Sequence, residues 1–233
     1  MQTWQKYAAE AYGTFVLVGV GTGAILGVLA TEGDVFTAAR LLTVALAFGL
    51  ALIAGLYTVG RISGGHFNPA VSLAMFLDRR LTATDLLFYW ASQVVGALLA
   101  SLALAWVIGK DAVALTITRL DTRLVDTTGG IVGEALFTMV LVMAILVISK
   151  STSYSKYLSI GLTLTAVILM GAAFTGGSVN PARSLAPAIV GGDMTDIWVY
   201  MIGPAVGAVV AWVLYKVIVT GETDLRDDVA TLM

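Results

Sequence analysis

The stretch GGHFNPAVSLAMFLDRR, Gly64 to Arg80, returns as GGSVNPARSLAPAIVGGD, Gly176 to Asp193. In each copy Asn-Pro-Ala opens an apolar helical run that ends after about ten residues. A run of that length covers about 15 Å, half the roughly 30 Å of hydrocarbon in a bilayer. The two runs sit among six longer ones: roughly Tyr7–Leu29, Arg40–Gly60, Asp85–Ile108, Gly130–Ile148, Tyr157–Phe174 and Asp196–Val219. Each of these has the length and apolarity of a membrane-crossing helix. The chain must therefore fold with six elements that cross a bilayer and two that stop halfway, Asn68–Leu77 and Asn180–Val190.

Composition agrees with an all-α membrane protein and leaves little room for a separate soluble domain. Apolar residues make up 58% of the 233 and charged residues 12%, where a soluble domain carries about 25% charged. No single N-terminal apolar segment stands apart as a cleavable signal. A net charge of −2 gives no basic footprint for nucleic acid. Without a cysteine there is no disulfide or thiolate metal site, and a single histidine, His66, excludes a multi-histidine metal centre. No cofactor or metal is expected. The connection Gly109–Gly129 is the longest and most polar, and the charged tail, about residues 221–233, reads as a solvated end.

The chain is an internal repeat. Aligning Glu10 with Glu134 lays AEAYGTFVLV over GEALFTMVLV, and aligning Asn68 with Asn180 matches eight of twelve positions in SGGHFNPAVSLA and TGGSVNPARSLA. The third span of each half agrees as well, QVVGA (Gln93–Ala97) facing PAVGA (Pro204–Ala208). The halves are about 5–110 and about 129–220, within a single domain of 1–233. Three spans per half is an odd number, so the second half enters from the opposite side and the repeat is inverted. With both termini inside, one side carries Lys6, Arg61, Arg79, Arg80, Lys150, Lys156, Lys216 and Arg226; the other has Arg40, Lys110, Arg119 and Arg123. Eight basic residues against four predict cytoplasmic termini.

Asn-Pro-Ala is helix-start grammar. Asn caps the first turn with its side-chain oxygen, and Pro fits the first helical position, where its missing N–H is not needed. Inversion lets the two half-helices meet start to start at the midplane. Their positive dipole ends then concentrate there, and the upstream Gly-rich carbonyls must line protein or water, since they cannot face lipid. Asn68 and Asn180 offer amide N–H groups at that point, and neither side chain titrates.

Paired NPA boxes, SGGHFNPAV, NPARS and the AE…GTF.LV opening make the chain resemble the aquaporin (major intrinsic protein) family over essentially its whole length. The resemblance implies a right-handed bundle of six tilted helices and two half-helices around one pore per subunit, usually in homotetramers of the cell membrane. It implies passive conduction of water or small neutral solutes with ions and protons excluded, and no enzymatic activity. It places the two motifs, Asn68-Pro69-Ala70 and Asn180-Pro181-Ala182, at the pore centre. Gly64, Gly65, His66, Phe67, Gly176, Ser178 and Val179 then fall on the pore-lining loops.

The same resemblance assigns an outer constriction to Phe48, Ile168, Gly177 and Arg183. Ile168 stands where strict water channels have His, and Gly177 where they have Thr or Cys. Such a filter is wider and less polar, similar to those of relatives that admit glycerol, small polyols or neutral metalloid hydroxides. Ser184, in contrast, follows the water-type pattern. The expectation is water conduction with leakage of small neutral solutes, and a glycerol-type main function ranks second. Glu10 and Glu134 are intramembrane carboxylates at equivalent repeat positions, read as acceptors for backbone N–H groups of the pore loops rather than as a proton relay. His66 reads as pore lining rather than as a pH gate. Gly19, Gly23 and Gly27, like Gly203 and Gly207, space as small residues at close helix contacts. A secondary transporter also uses inverted repeats and broken helices, but only the paired glutamates would offer it a coupling site. An intramembrane enzyme would need a nucleophile–base pair that the sequence lacks.

Overall fold

The computed structural model describes residues 2–32 and 37–220; the expected charged tail at 221–233 lies outside them. Nine α-helices occur among these residues: α1 Thr3–Glu32, α2 Ala38–Ser63, α3 Pro69–Leu77, α4 Ala83–Ile108, α5 Lys110–Ala114, α6 Thr127–Ile148, α7 Ser155–Thr175, α8 Pro181–Gly191 and α9 Ile197–Leu214. α9 runs on through a π-helical turn, Tyr215–Thr220. Six of these elements have the length and apolarity to cross a membrane, and α3 and α8 are the half-length pair. α5 is an addition: the polar connection after Gly109 folds into a short helix packed on α4 and α8.

The two halves interlock rather than lie side by side. α1 packs on α2 and α4, and α6 packs on α7 and α9, so each half repeats one arrangement. Across the halves α2 packs on α7, while α3 lies against α9 and α8 against α4. Each half-helix is thus cradled by the third span of the other half, which makes neither half a free-standing unit.

Glycines set the close crossings, though not all those expected. A Cβ on Gly96 would overlap the Ala11 carbonyl oxygen, and one on Gly207, its repeat equivalent, would overlap that of Ala135. At the α2–α7 crossing a Cβ on Gly49 would lie 2.7 Å from the Gly161 oxygen, and one on Gly161 would lie 2.6 Å from the Gly49 oxygen. Gly203 is equally tight, 2.7 Å from the Glu134 Cβ. The Gly19–Gly23–Gly27 stripe is different: a Cβ on Gly19 or Gly23 would meet only ordinary contacts, at 3.7 Å and 3.9 Å, and Gly27 has open space. Regular spacing of small residues marked a helix face there, but the partner backbone does not come down onto it.

Candidate functional site

The segments before α3 and α8 leave their preceding helices through left-handed glycine pairs, Gly64 (φ 95°) and Gly65 (φ 68°), and Gly176 (φ 85°) and Gly177 (φ 56°), and reach extended backbone at the caps. Asn68 and Asn180 have extended backbone. The Asn68 side-chain oxygen accepts from Ala70 N at 2.8 Å, and that of Asn180 accepts from Ala182 N at 3.1 Å and Arg183 N at 3.3 Å. Each amide nitrogen then reaches across to the other loop. Asn68 Nδ2 donates to the Val179 carbonyl at 2.8 Å, and Asn180 Nδ2 donates to the Phe67 carbonyl at 2.9 Å. The half-helices therefore meet N-terminus to N-terminus, joined by two reciprocal bonds. This refines the sequence expectation: one N–H of each asparagine is committed to the opposite loop, and one remains for the cavity.

Phe67 and Val179, whose carbonyls receive those bonds, hold φ of 48° and 49°. Neither is a glycine, and a β-branched residue in this region is uncommon, at a conformational penalty of about 1–3 kcal/mol. Two wholly buried carboxylates hold them there. Glu10 accepts from Ser63 Oγ at 2.6 Å, His66 N at 2.9 Å and Phe67 N at 2.7 Å. Glu134 accepts from Thr175 Oγ1 at 2.6 Å, Ser178 N at 2.9 Å and Val179 N at 2.7 Å. With its N–H groups turned back to a carboxylate, each loop presents its carbonyls to the interior.

One cavity brings the sequence-selected residues together. Gly64, Gly65, His66, Asn68, Ser178, Val179 and Asn180 line it beside Phe48, Ile168, Gly177 and Arg183. Pro69, Ala70, Pro181 and Ala182 lie outside it, on an apolar groove at the back of the half-helices; Phe67 is buried with its ring against Gly13 and Gly55. Gly176, the α7 cap, packs on Thr118. Apolar Leu17, Leu52, Val71, Leu141, Ile145, Ile160 and Leu164 complete the wall. Arg183 is 5% exposed, and its guanidinium sits 5.0 Å from the Phe48 ring centroid while Nη1 donates to the Thr116 carbonyl at 3.3 Å. Among the described residues no carboxylate comes within ion-pair distance of it. Through His66, Ser149 and Ile160 the cavity opens into a wider basin at the basic side, lined by Lys6, Arg61, Arg80 and Lys156 with Asp85. An uncharged wall broken by a few inward donors and one cation suits a small polar molecule without net charge.

The sequence model described as Major intrinsic protein matches residues 1–215. The chain belongs to the major intrinsic protein family. It is 40% identical over 213 residues to "Glycerol uptake facilitator protein-like 6" of Lactiplantibacillus plantarum, covering 89% of this chain and 94% of that one. It is 33% identical over 225 residues to "Aquaporin TIP2-3" of Arabidopsis thaliana, covering 94% and 88%. Its backbone superposes on the aquaglyceroporin of Plasmodium falciparum with a TM-score of 0.83 at 23% identity, over 97% of this chain and all of that one. As a major intrinsic protein with six apolar spans, it is an integral membrane protein.

Several residues of this major intrinsic protein's site escaped the sequence reading. Tyr89 donates to the Ser63 carbonyl at 2.7 Å; Tyr200, at the equivalent position and read from the sequence only as half of a water-type aromatic pair with Met201, donates to the Thr175 carbonyl at 2.7 Å. Gln93 joins Glu10 and Ser72, while Thr118 donates to Ser184 Oγ at 2.8 Å. The tyrosines and Gln93 stood in the aligned third spans, where a buried amide amid apolar residues is itself a signal. Thr116 and Thr118 gave none, because their reach depends on how the long connection folds.

Proposed function

We propose that the protein is a passive membrane channel that conducts water and passes small neutral solutes such as glycerol, while excluding ions and protons. The observation that carries this reading is the single cavity joining the paired asparagine caps to Arg183 and Phe48. Two helix N-termini and a guanidinium make its centre and one end positive, which repels cations. The asparagine amides give a passing water two donors and no titratable group, so a chain of waters turns over at that point and protons are not relayed. Phe48, Ile168, Gly177 and Arg183 form the constriction. Glu10 and Glu134 act as fixed acceptors that shape the loops. Nothing in this mechanism makes or breaks a covalent bond, so the chain is read as a channel and not an enzyme.

The whole chain acts as one channel domain of two inverted halves. It works as a homotetramer in the cell membrane, with both termini and the basic basin on the cytoplasmic side; the eight-to-four split of basic residues supports that orientation. A mainly glycerol-conducting channel is the second reading. Ile168 and Gly177 favour it, since neither brings a polar side chain to the constriction, and the Lactiplantibacillus relative carries that name. Stopped-flow light scattering on reconstituted liposomes separates the two by comparing water with glycerol, and uptake against a gradient would instead indicate a transporter. Ile168→His should lower glycerol flux by about tenfold, equivalent to ~1.4 kcal/mol, with water flux much less affected. Gly177→Thr is the blunter probe. Gly177 has φ 56° and a Cβ there would sit 3.1 Å from Ala172 N, so a β-branched residue is strained as well as bulky. Glycerol flux unchanged by Ile168→His removes Ile168 from the constriction.

A further inference from the structure

Gln93 is a fully buried amide near the middle of α4, and both of its N–H groups are used. Nε2 donates to Glu10 Oε2 at 2.7 Å and to Ser72 Oγ at 2.9 Å. Its own carbonyl oxygen, Oε1, is buried with no hydrogen-bond partner. A buried orphan oxygen is destabilising, and an apolar side chain would fill the same space without one. The two N–H bonds must therefore do something that packing does not.

The direction of those bonds is fixed by Glu10, whose oxygens accept from four donors and leave no place for a second acceptor facing them. Ser72 Oγ accepts from Gln93, so the serine hydroxyl hydrogen points elsewhere. The acceptor in reach is His66 Nδ1, 3.0 Å away. Nδ1 then carries a lone pair, and the ring proton sits on Nε2. The ring is held edge-on to Tyr89, with Nε2 beside Gly64, where the cavity opens into the basin.

We infer that Gln93 is a positioning residue: acting through Ser72, it fixes His66 as the neutral Nε2–H tautomer and aims a further N–H donor into the conduction path. The inference rests on the channel reading given above. Charging the ring would put Nδ1–H against Ser72 Oγ and leave the serine hydrogen without its acceptor. The charged and titratable groups around His66 and its basin are Glu10 and Lys6 on α1, Arg61 on α2, Arg80 beyond α3, Asp85 and Tyr89 on α4, and Lys156 and Tyr157 on α7, with Tyr154 just before it. The other half supplies a natural contrast. There Ser178 replaces His66 and Pro204 replaces Gln93, and Ser178 Oγ turns back to the Asn180 carbonyl and to Ser184 Oγ. The glutamine occurs in the half that has a ring to hold.

Because His66 is the sole histidine, ¹⁵N-histidine labelling of the protein in lipid reports this one ring. The expected spectrum shows a bare Nδ1 and a protonated Nε2, unchanged between about pH 5.5 and about pH 7.5, either side of the reference histidine value of about 6.5. Ser72→Ala, which leaves the Glu10–Gln93 bond intact, should give mixed tautomers and a ring that protonates as the pH falls. Gln93→Leu should do the same. Water permeability of either variant should change by about twofold or more across that range, while the parent stays flat. A protonated Nδ1 in the parent, or a parent-like spectrum in Ser72→Ala, overturns the inference even if Gln93→Leu does not fold. A parent that conducts no water would instead overturn the channel reading, and the tautomer would still be decided by the spectrum.

Discussion

The loop before α3 hangs from α1 and α4, and the loop before α8 hangs from α6 and α9 and also touches the connection between the halves. Both use a carboxylate, a hydroxyl and a tyrosine in the same places: Glu10, Ser63 and Tyr89 in one, Glu134, Thr175 and Tyr200 in the other. These shared parts set the direction of the loop carbonyls, which both halves need equally. The differences lie around Ser72 and Ser184. Ser72 is tied to Gln93 and His66; Ser184 is tied to Thr118 and Ser178. Thr116, two residues from Thr118, receives the Arg183 guanidinium. Duplication thus supplied the frame, and the side chains that touch a passing molecule diverged. The second half's arginine leans on the long connection, which is itself held by α5 packing on α4 and α8 and by the Thr118–Ser184 bond.

The largest effects should come where the halves are the same. Gly96→Val and Gly207→Val each drive a side chain into a helix backbone, at Ala11 and at Ala135. Both should abolish accumulation of folded protein, read by monodispersity after detergent extraction. If one were tolerated, the two crossings would not be equivalent. Next come the carboxylates, where the halves differ by one bond. Glu10→Ala strands four donors and Glu134→Ala strands three, each buried donor costing about 1–3 kcal/mol. Thermal melting in detergent should place Glu10→Ala below Glu134→Ala, and the reverse order would show that Gln93 does not support Glu10.

Much of this was legible in the sequence. The Asn-Pro-Ala boxes fix helix starts by capping chemistry that is local to three residues, so α3 and α8 begin where expected. Span lengths follow from apolar runs, with ends that move a few residues: α1 begins at Thr3 rather than Tyr7, and α9 passes into a π turn at Tyr215. The cross-bonds from Asn68 to Val179 and from Asn180 to Phe67 were hidden, because they join residues more than a hundred positions apart. So was α5, whose five residues are too few to show periodicity. The Gly19–Gly27 stripe misled because spacing marks a face without saying whether a backbone approaches it.

Arg183 has no counterpart in the first half, where Val71 occupies its position. A cation passing about 5 Å from the guanidinium loses on the order of 3 kcal/mol at an effective dielectric of about 20. Arg183→Val should therefore raise monovalent cation leak roughly a hundredfold, measured by a fluorescent potential assay on proteoliposomes, with water flux little changed. A leak no larger than the parent's would move cation exclusion to the paired helix ends, which both halves provide.

The smallest contrast concerns the far ends of the half-helices. Beyond α3, Arg80 binds Asp78 at 2.6 Å, Ser149 Oγ at 2.9 Å, the Leu146 carbonyl at 3.0 Å and Tyr215 OH at 3.2 Å, with Lys216 also 3.5 Å from Asp78. Cations suit a helix C-terminus, and this network is largely covered. Beyond α8 the arrangement is the opposite: Asp193 follows the helix end and is held in the open by Thr195 and Arg119. Hydrogen bonds from the Thr195 side chain and backbone, then from Arg119, hold its carboxyl at about 2. A carboxyl lowered in the folded state contributes stability above its unfolded value of about 3.9 and loses it as pH falls through about 2. Arg80→Ala should thus lower the melting temperature clearly, measured between about pH 5 and about pH 8, because it strands several buried partners at once. Asp193→Asn should lower it slightly, by a margin that is constant over the same window and vanishes between about pH 4 and about pH 2. Added salt should shrink the Arg119 part of that margin, because the pair is exposed to screening. A margin that widened on acidification would mean that Asp193 is destabilising beside the α8 terminus and that Arg119 merely compensates for it.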